Sequence, residues 1–170
     1  MLDNENRKES AMHFLIVDDS KMIRHIVITA LSELGYDSFS EAADVSEAKN
    51  LLKKIKIDCI ISDWHMPGES GLDFIKFVKS CPEYAQIPFI IQTIENEKKN
   101  IVEAVRAGVQ GYLVKPVQKA AIAQKLTELS KLYPIQPPQE RHGAAKPPAA
   151  PAIAEAKKVA PAGKAADDDS

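Results

Sequence analysis

Five short strand-like runs, all but the second mainly apolar and each followed by a stretch with helical spacing, constrain this chain more than any other feature. The runs are His13 to Val17, Asp37 to Ala42, Ile57 to Ser62, Pro88 to Gln92 and Gly111 to Val114. They are short and largely continuous rather than alternating, the pattern of strands covered on both faces of a parallel sheet. After the first run, Ile23, Ile26, Val27, Ala30, Leu31 and Leu34 recur at helical spacing. Ser20 is placed to cap that helix and Gly35 to stop it. Further helices are expected over Ser46 to Lys54, around Leu72 to Val78 before Pro82, over Asn100 to Ala107 with Gly108 as the stop, and over Lys119 to Leu132. Alternating strands and helices with right-handed crossovers make an α/β, doubly wound sheet.

The same pattern sets the domain organisation. Residues 1–11 are polar and read as a flexible N-terminus without the apolar core of a secretory signal. Residues 12–133 hold the folded domain. From residue 134 onward Pro, Ala and Lys dominate, and the chain ends in Asp167-Asp168-Asp169 before Ser170. Such a tail buries too little to offset its ordering entropy, so residues 134–170 are expected to be disordered, with Ala152 to Ala160 transiently helical at most. No run approaches the roughly 20 apolar residues of a membrane helix, so no membrane partner is expected and the expected location is cytoplasmic. A formal net charge of −2 gives no footprint for nucleic acid. The 2 cysteines fit neither zinc nor redox spacing, and Cys59 reads as a small buried hydrophobe.

Polar residues end the apolar runs with regularity. The first run leads into Asp18-Asp19, the third into Asp63, the fourth into Thr93 and the fifth into Lys115. Ligands of open parallel sheets bind beyond the carboxyl ends of the strands, so these groups are expected to converge. Three carboxylates tolerate one another with a cation between them, and all-oxygen ligation suits Mg²⁺, with Mn²⁺ as a substitute. With one lysine and one hydroxyl beside them, the set suits phosphoryl transfer to a carboxylate, Asp63 being the nucleophile.

Asp18-Asp19-Ser20, Asp63-Trp64-His65-Met66-Pro67, Thr93 and Gly111-Tyr112-Leu113-Val114-Lys115-Pro116, in this order, resemble the response-regulator receiver family over about Met12 to Leu132. The segments around Asp63 and from Lys98 to Tyr112 are similar to its single-domain, CheY-like chemotaxis subtype. The resemblance implies a flavodoxin/CheY-like sheet with strand order 2-1-3-4-5. It implies a signalling switch rather than an enzyme, in which Asp63 takes a phosphoryl group from a CheA-like sensor histidine kinase. Asp19, Asp63 and the backbone carbonyl of His65 would ligate Mg²⁺, and Asp18 would act through a metal-bound water. Thr93 and Lys115 would hold the phosphoryl group, Thr93 and Tyr112 would be the switch pair, and the bond before Pro116 would be cis. Lys98, Ile101, Val105, Tyr112, Val114 and Lys125 would border the surface for a downstream target, possibly the flagellar motor switch, and a phosphatase is a further possible partner. The tail is too short and polar for an output domain, so output is expected through protein binding.

Two positions depart from the family pattern. Ile94 follows Thr93 where a small residue is usual, and His65 stands where Asn is frequent. The bulk of Ile94 narrows access to the phosphoryl group, so slower reaction with small phosphodonors and slower dephosphorylation are expected from it; His65 borders the path of the attacking water and leaves the phosphoryl lifetime open. Alternatives within the family are a phosphorelay intermediate or a phosphate sink. A haloacid-dehalogenase-like phosphatase would need an Asp-x-Asp nucleophile motif and a cap domain, neither of which is evident, and a silent adaptor would not need the intact set. Taken singly, Thr93 reads as a helix cap, Tyr112 as core, Trp64 as a semi-exposed neighbour, and His13, His25 and His142 as structural or solvent-facing.

Overall fold

In the computed structural model, which describes residues 12–94 and 98–135, the alternation of apolar runs and helical stretches resolves into five strands and five helices. In chain order these are β1 (His13–Val17), α1 (Lys21–Glu33), β2 (Ser38–Ala42), α2 (Val45–Leu52), β3 (Cys59–Asp63), α3 (Gly71–Ser80), β4 (Phe89–Ile94), α4 (Lys98–Ala107), β5 (Gly111–Lys115) and α5 (Lys119–Ser130). The strands form one parallel sheet in the order 2-1-3-4-5, as expected.

Side chains alternate across each strand, and this splits the core in two. Leu15, Val17, Ile60, Phe89 and Ile91 face α2, α3 and α4, where Phe74, Ile75 and Val78 cover them. Phe14, Ile16, Cys59, Ile61, Ile90 and Leu113 face α1 and α5, under Val27, Leu31, Ile122 and Leu126. Packing on the second side reaches Ile135, which is buried. The remaining sequence expectations for residues 1–11, for the tail from 136 and for Glu95 and Glu97 lie outside the described residues.

Helix ends follow local chemistry. The Ser20 hydroxyl accepts the Ile23 N–H and starts α1, and Gly35, at φ 96°, follows its C-cap. Asp44 caps α2 through the Glu47 N–H. Ser70 and Asp73 form a reciprocal capping box on α3. Gly108, at φ 95°, terminates α4. Several edges differ from the sequence expectation. β3 starts at Cys59 rather than Ile57, although Ile57 is buried, and α4 starts at Lys98 rather than Asn100. β4 runs through Thr93 to Ile94, so Thr93 lies within the strand rather than after it. No helix among the described residues is long and apolar enough to cross a membrane.

Candidate functional site

The carboxyl ends of β1, β3 and β5 bring Asp18, Asp63 and Lys115 into contact. The Lys115 Nζ lies 2.9 Å from Asp18 Oδ2 and 3.0 Å from Asp63 Oδ1. One carboxylate oxygen from each of Asp18, Asp19 and Asp63 fits within 4.8 Å of the others. Asp18 is fully buried, Asp63 is 6% exposed and Asp19 faces solvent. Both oxygens of Asp18 are engaged by protein, since Oδ1 accepts the Ser20 N–H at 2.8 Å and Oδ2 accepts Lys115. That favours an indirect role toward a cation for Asp18, with direct ligation left to Asp19 and Asp63. Asp63 Oδ1 also accepts the Trp64 N–H at 2.8 Å, which fixes the carboxylate's orientation.

Buried charge explains the electrostatics. Burial pushes the Asp63 carboxyl above the usual aspartate range; Lys115 opposes this, and the Asp18 carboxylate adds to the rise. Burial alone would lower the Lys115 ammonium, but hydrogen bonds and charge from Asp18 and Asp63 outweigh it and hold Lys115 above its ordinary value. Two carboxylates thus share one ammonium while a third lies within ligand distance, which is an excess of negative charge at an all-oxygen donor set. That set fits a hard divalent cation such as Mg²⁺.

The other expected residues divide into groups. Thr93 is buried beside the site, and its hydroxyl makes a long 3.4 Å contact to the Ile94 carbonyl. Ile94, in register with Lys115, is 54% exposed at the rim. His65 is also exposed. The Lys115–Pro116 peptide is cis. Tyr112 points outward at 43% exposure, and Lys125 Nζ lies 5.7 Å from its ring centroid, a cation–π contact. Gly111 makes that contact possible, because a Cβ there would come 2.6 Å from the Lys125 stem. Val105, Val114 and Tyr112 lie exposed on α4 and β5, and Ile101 is half-buried. The side chain of Lys98 is outside the described residues, and so is His142.

One expectation, that for Trp64, is corrected, whereas the structural reading of His13 agrees with its contacts. Trp64 is buried at 6% rather than semi-exposed, because it turns into the α2/α3/α4 side of the core. His13 is structural, its ring bridging the Ser38 and Ser40 hydroxyls at 2.7 and 2.8 Å.

Sequence reasoning missed three residues around the site. Arg24 donates to the Asp18 carbonyl at 2.6 Å and pairs with Glu41 at 2.8 Å, tying α1 to the Asp18 turn. Gly71 opens α3 against the backbone of Asp63: an added Cβ would sit 2.3 Å from the Asp63 carbonyl oxygen, so only glycine fits. Gln92 is fully buried on β4 as the direct register partner of Asp63. A polar residue inside an apolar run was the signal for Gln92; nothing in the sequence flags the other two.

Comparisons with known proteins agree with this geometry. Residues 14–127 match the model of the response regulator receiver domain. The chain is 39% identical over 118 residues to chemotaxis protein CheY-3 of Vibrio cholerae, covering 69% of this chain and 91% of that protein. It is 34% identical to chemotaxis protein CheY of Pseudomonas aeruginosa, covering 69% and 95%. Among solved structures, chemotaxis response regulator CheY4 of Vibrio cholerae superposes with a TM-score of 0.65 at 33% identity, covering 71% of this chain and 99% of that one.

Proposed function

The chain belongs to the response regulator receiver family, and from that premise we propose that Asp63 accepts a phosphoryl group from a sensor histidine kinase and that the α4–β5–α5 face reports it to a protein partner. The observation that carries this reading is the Lys115 ammonium held between Asp18 and Asp63, with Asp19 completing a cation-sized oxygen cluster.

In the proposed step an Asp63 carboxylate oxygen attacks phosphorus, the P–N bond of a phosphohistidine breaks, and the released imidazole takes up a proton. A Mg²⁺ ion held by Asp19, Asp63 and the His65 carbonyl, with Asp18 behind a water, would supply charge neutralisation on the transferring oxygens. Lys115 supplies a second positive charge from a fixed position. The Trp64 N–H keeps the Asp63 carboxylate aligned. Thr93, buried at the end of β4 beside Asp63, would bond a phosphoryl oxygen through its hydroxyl. Its movement would open space for Tyr112 to leave the Lys125 contact and turn inward, which changes the surface formed by Tyr112, Val105 and Val114.

The names of the relatives favour a chemotaxis role, and within it the proposed partners are a CheA-like kinase upstream and the flagellar motor switch as target. Ile94 at the rim would slow attack by water and small donors, so Ile94→Ala is expected to accelerate both phosphorylation by acetyl phosphate and dephosphorylation. The direct test is phosphate incorporation from a histidine kinase or acetyl phosphate, with and without Mg²⁺. Label on wild type that is lost in Asp63→Asn and on chelation supports the reading; equal label in Asp63→Asn rejects it.

A further inference from the structure

Gln92 is the one fully buried side chain among the described residues whose amide oxygen and nitrogen both lack a hydrogen-bond partner. Its position is specific. Gln92 pairs in register with Asp63 on one side and Leu113 on the other. Register partners in a parallel sheet direct their side chains to the same face, so Gln92 shares a face with Asp63 and, two residues beyond Leu113, with Lys115. The Gln92 carbonyl accepts the Trp64 N–H at 3.1 Å, the same N–H that Asp63 Oδ1 accepts at 2.8 Å. Its neighbour along β4 is Thr93.

A buried amide without partners raises the free energy of the state that contains it, whereas a leucine or methionine of similar size would not. Fold stability alone therefore gives no reason for glutamine in this apolar strand. A reason exists if a second state of the site satisfies the amide. Lys115 has three N–H donors and places two of them on Asp18 and Asp63 in the resting arrangement. Modification of Asp63 must redistribute those bonds, and it does so on the face that carries Gln92.

We propose that Gln92 is a positioning residue of the switch: its amide is orphaned in the resting site and acquires a partner from the rearranged Lys115 and Asp63 groups when the phosphoryl site is occupied. The proposal rests on the reading of Asp63 as phosphoacceptor. The consequence is a bias. Gln92 destabilises the resting state relative to the occupied one, and thereby strengthens occupancy of the site without touching the incoming ligand.

The experiment measures thermal midpoints and beryllofluoride affinity, in the presence of Mg²⁺, for wild type, Gln92→Leu and Gln92→Met. Both substitutions are expected to raise the midpoint of the unliganded protein. Both are expected to weaken beryllofluoride binding about three- to tenfold, the scale of one net buried hydrogen bond. A purely structural glutamine behaves differently: the midpoint shifts equally with and without beryllofluoride and the affinity is unchanged, which overturns the proposal. A lower midpoint in the unliganded Gln92→Met protein also overturns it, since the amide would then be satisfied at rest. Wild type that shows no beryllofluoride-dependent shift removes the phosphoacceptor reading and this proposal with it, and that result is separable because it precedes any substitution.

Discussion

Helices α3 and α4 follow one another along the chain, carry 10 residues each and pack on the same face of the sheet, yet they are held in different ways. α3 buries Phe74, Ile75 and Val78 completely, begins with a capping box and starts on a glycine pressed against the Asp63 backbone. Its last turn is fastened by Lys79, which donates to the Ala85 and Ile87 carbonyls at 3.0 and 2.9 Å. α4 buries only Ala104 among its described side chains, while Val102 and Val105 stand more than half exposed. A fully buried large apolar side chain contributes about 1.5–3 kcal/mol, and an alanine much less. The helix that opens against Asp63 is therefore a fixed support, and α4 is held loosely enough to shift at small cost. Under the proposed function, a signal that begins at Asp63 would meet a rigid helix in α3 and a movable one in α4.

This contrast can be broken by substitution. Phe74→Ala should cost about 3–5 kcal/mol in urea unfolding, a large part of the 5–15 kcal/mol typical of a domain. Val105→Ala should stay within about 0.5 kcal/mol while weakening capture of a partner by the activated form. Comparable losses at both positions would remove the distinction between the helices. Gly71→Ala should cost about 1–3 kcal/mol, because a methyl group cannot coexist with the Asp63 carbonyl unless α3 withdraws. It should also slow phosphorylation. A stable variant with normal phosphorylation would mean that α3 does not support the nucleophile.

The smallest effect concerns pH. Burial lowers the Lys79 ammonium below 10.5. The folded state then binds the proton less tightly than the unfolded chain, so the penalty is full below the folded value and fades as pH rises toward 10.5. Wild type should gain on Lys79→Met as pH rises toward 10.5, read as urea midpoints. Parallel curves would show that Lys79 keeps its charge without penalty in the fold.

The sequence made the strand ends legible because a parallel sheet collects them at one edge, so Asp18, Asp63 and Lys115 could be placed together from run boundaries alone. The helix stops at Gly35 and Gly108 were equally plain, since each needs positive φ. What stayed hidden was tertiary. Gly71 is required by a backbone approach from another element, Arg24 by a contact across a turn, and the burial of Trp64 by a core formed from distant helices. Pattern reading sees which face a residue takes on its own element, not what comes to meet it. It likewise assigned the apolar residues of α4 without showing that, among its described side chains, only Ala104 is buried.

Occupation of Asp63 is expected to move α4 and β5 while α3 stays in place. Amide hydrogen exchange, measured segment by segment with Mg²⁺ alone and with Mg²⁺ plus beryllofluoride, tests it most directly. The expected result is altered exchange in Lys98–Ala107 and Gly111–Lys115, little change in Gly71–Ser80, and no response in Asp63→Asn. Unchanged exchange in α4 with beryllofluoride bound, or an equal change in α3, would contradict the account.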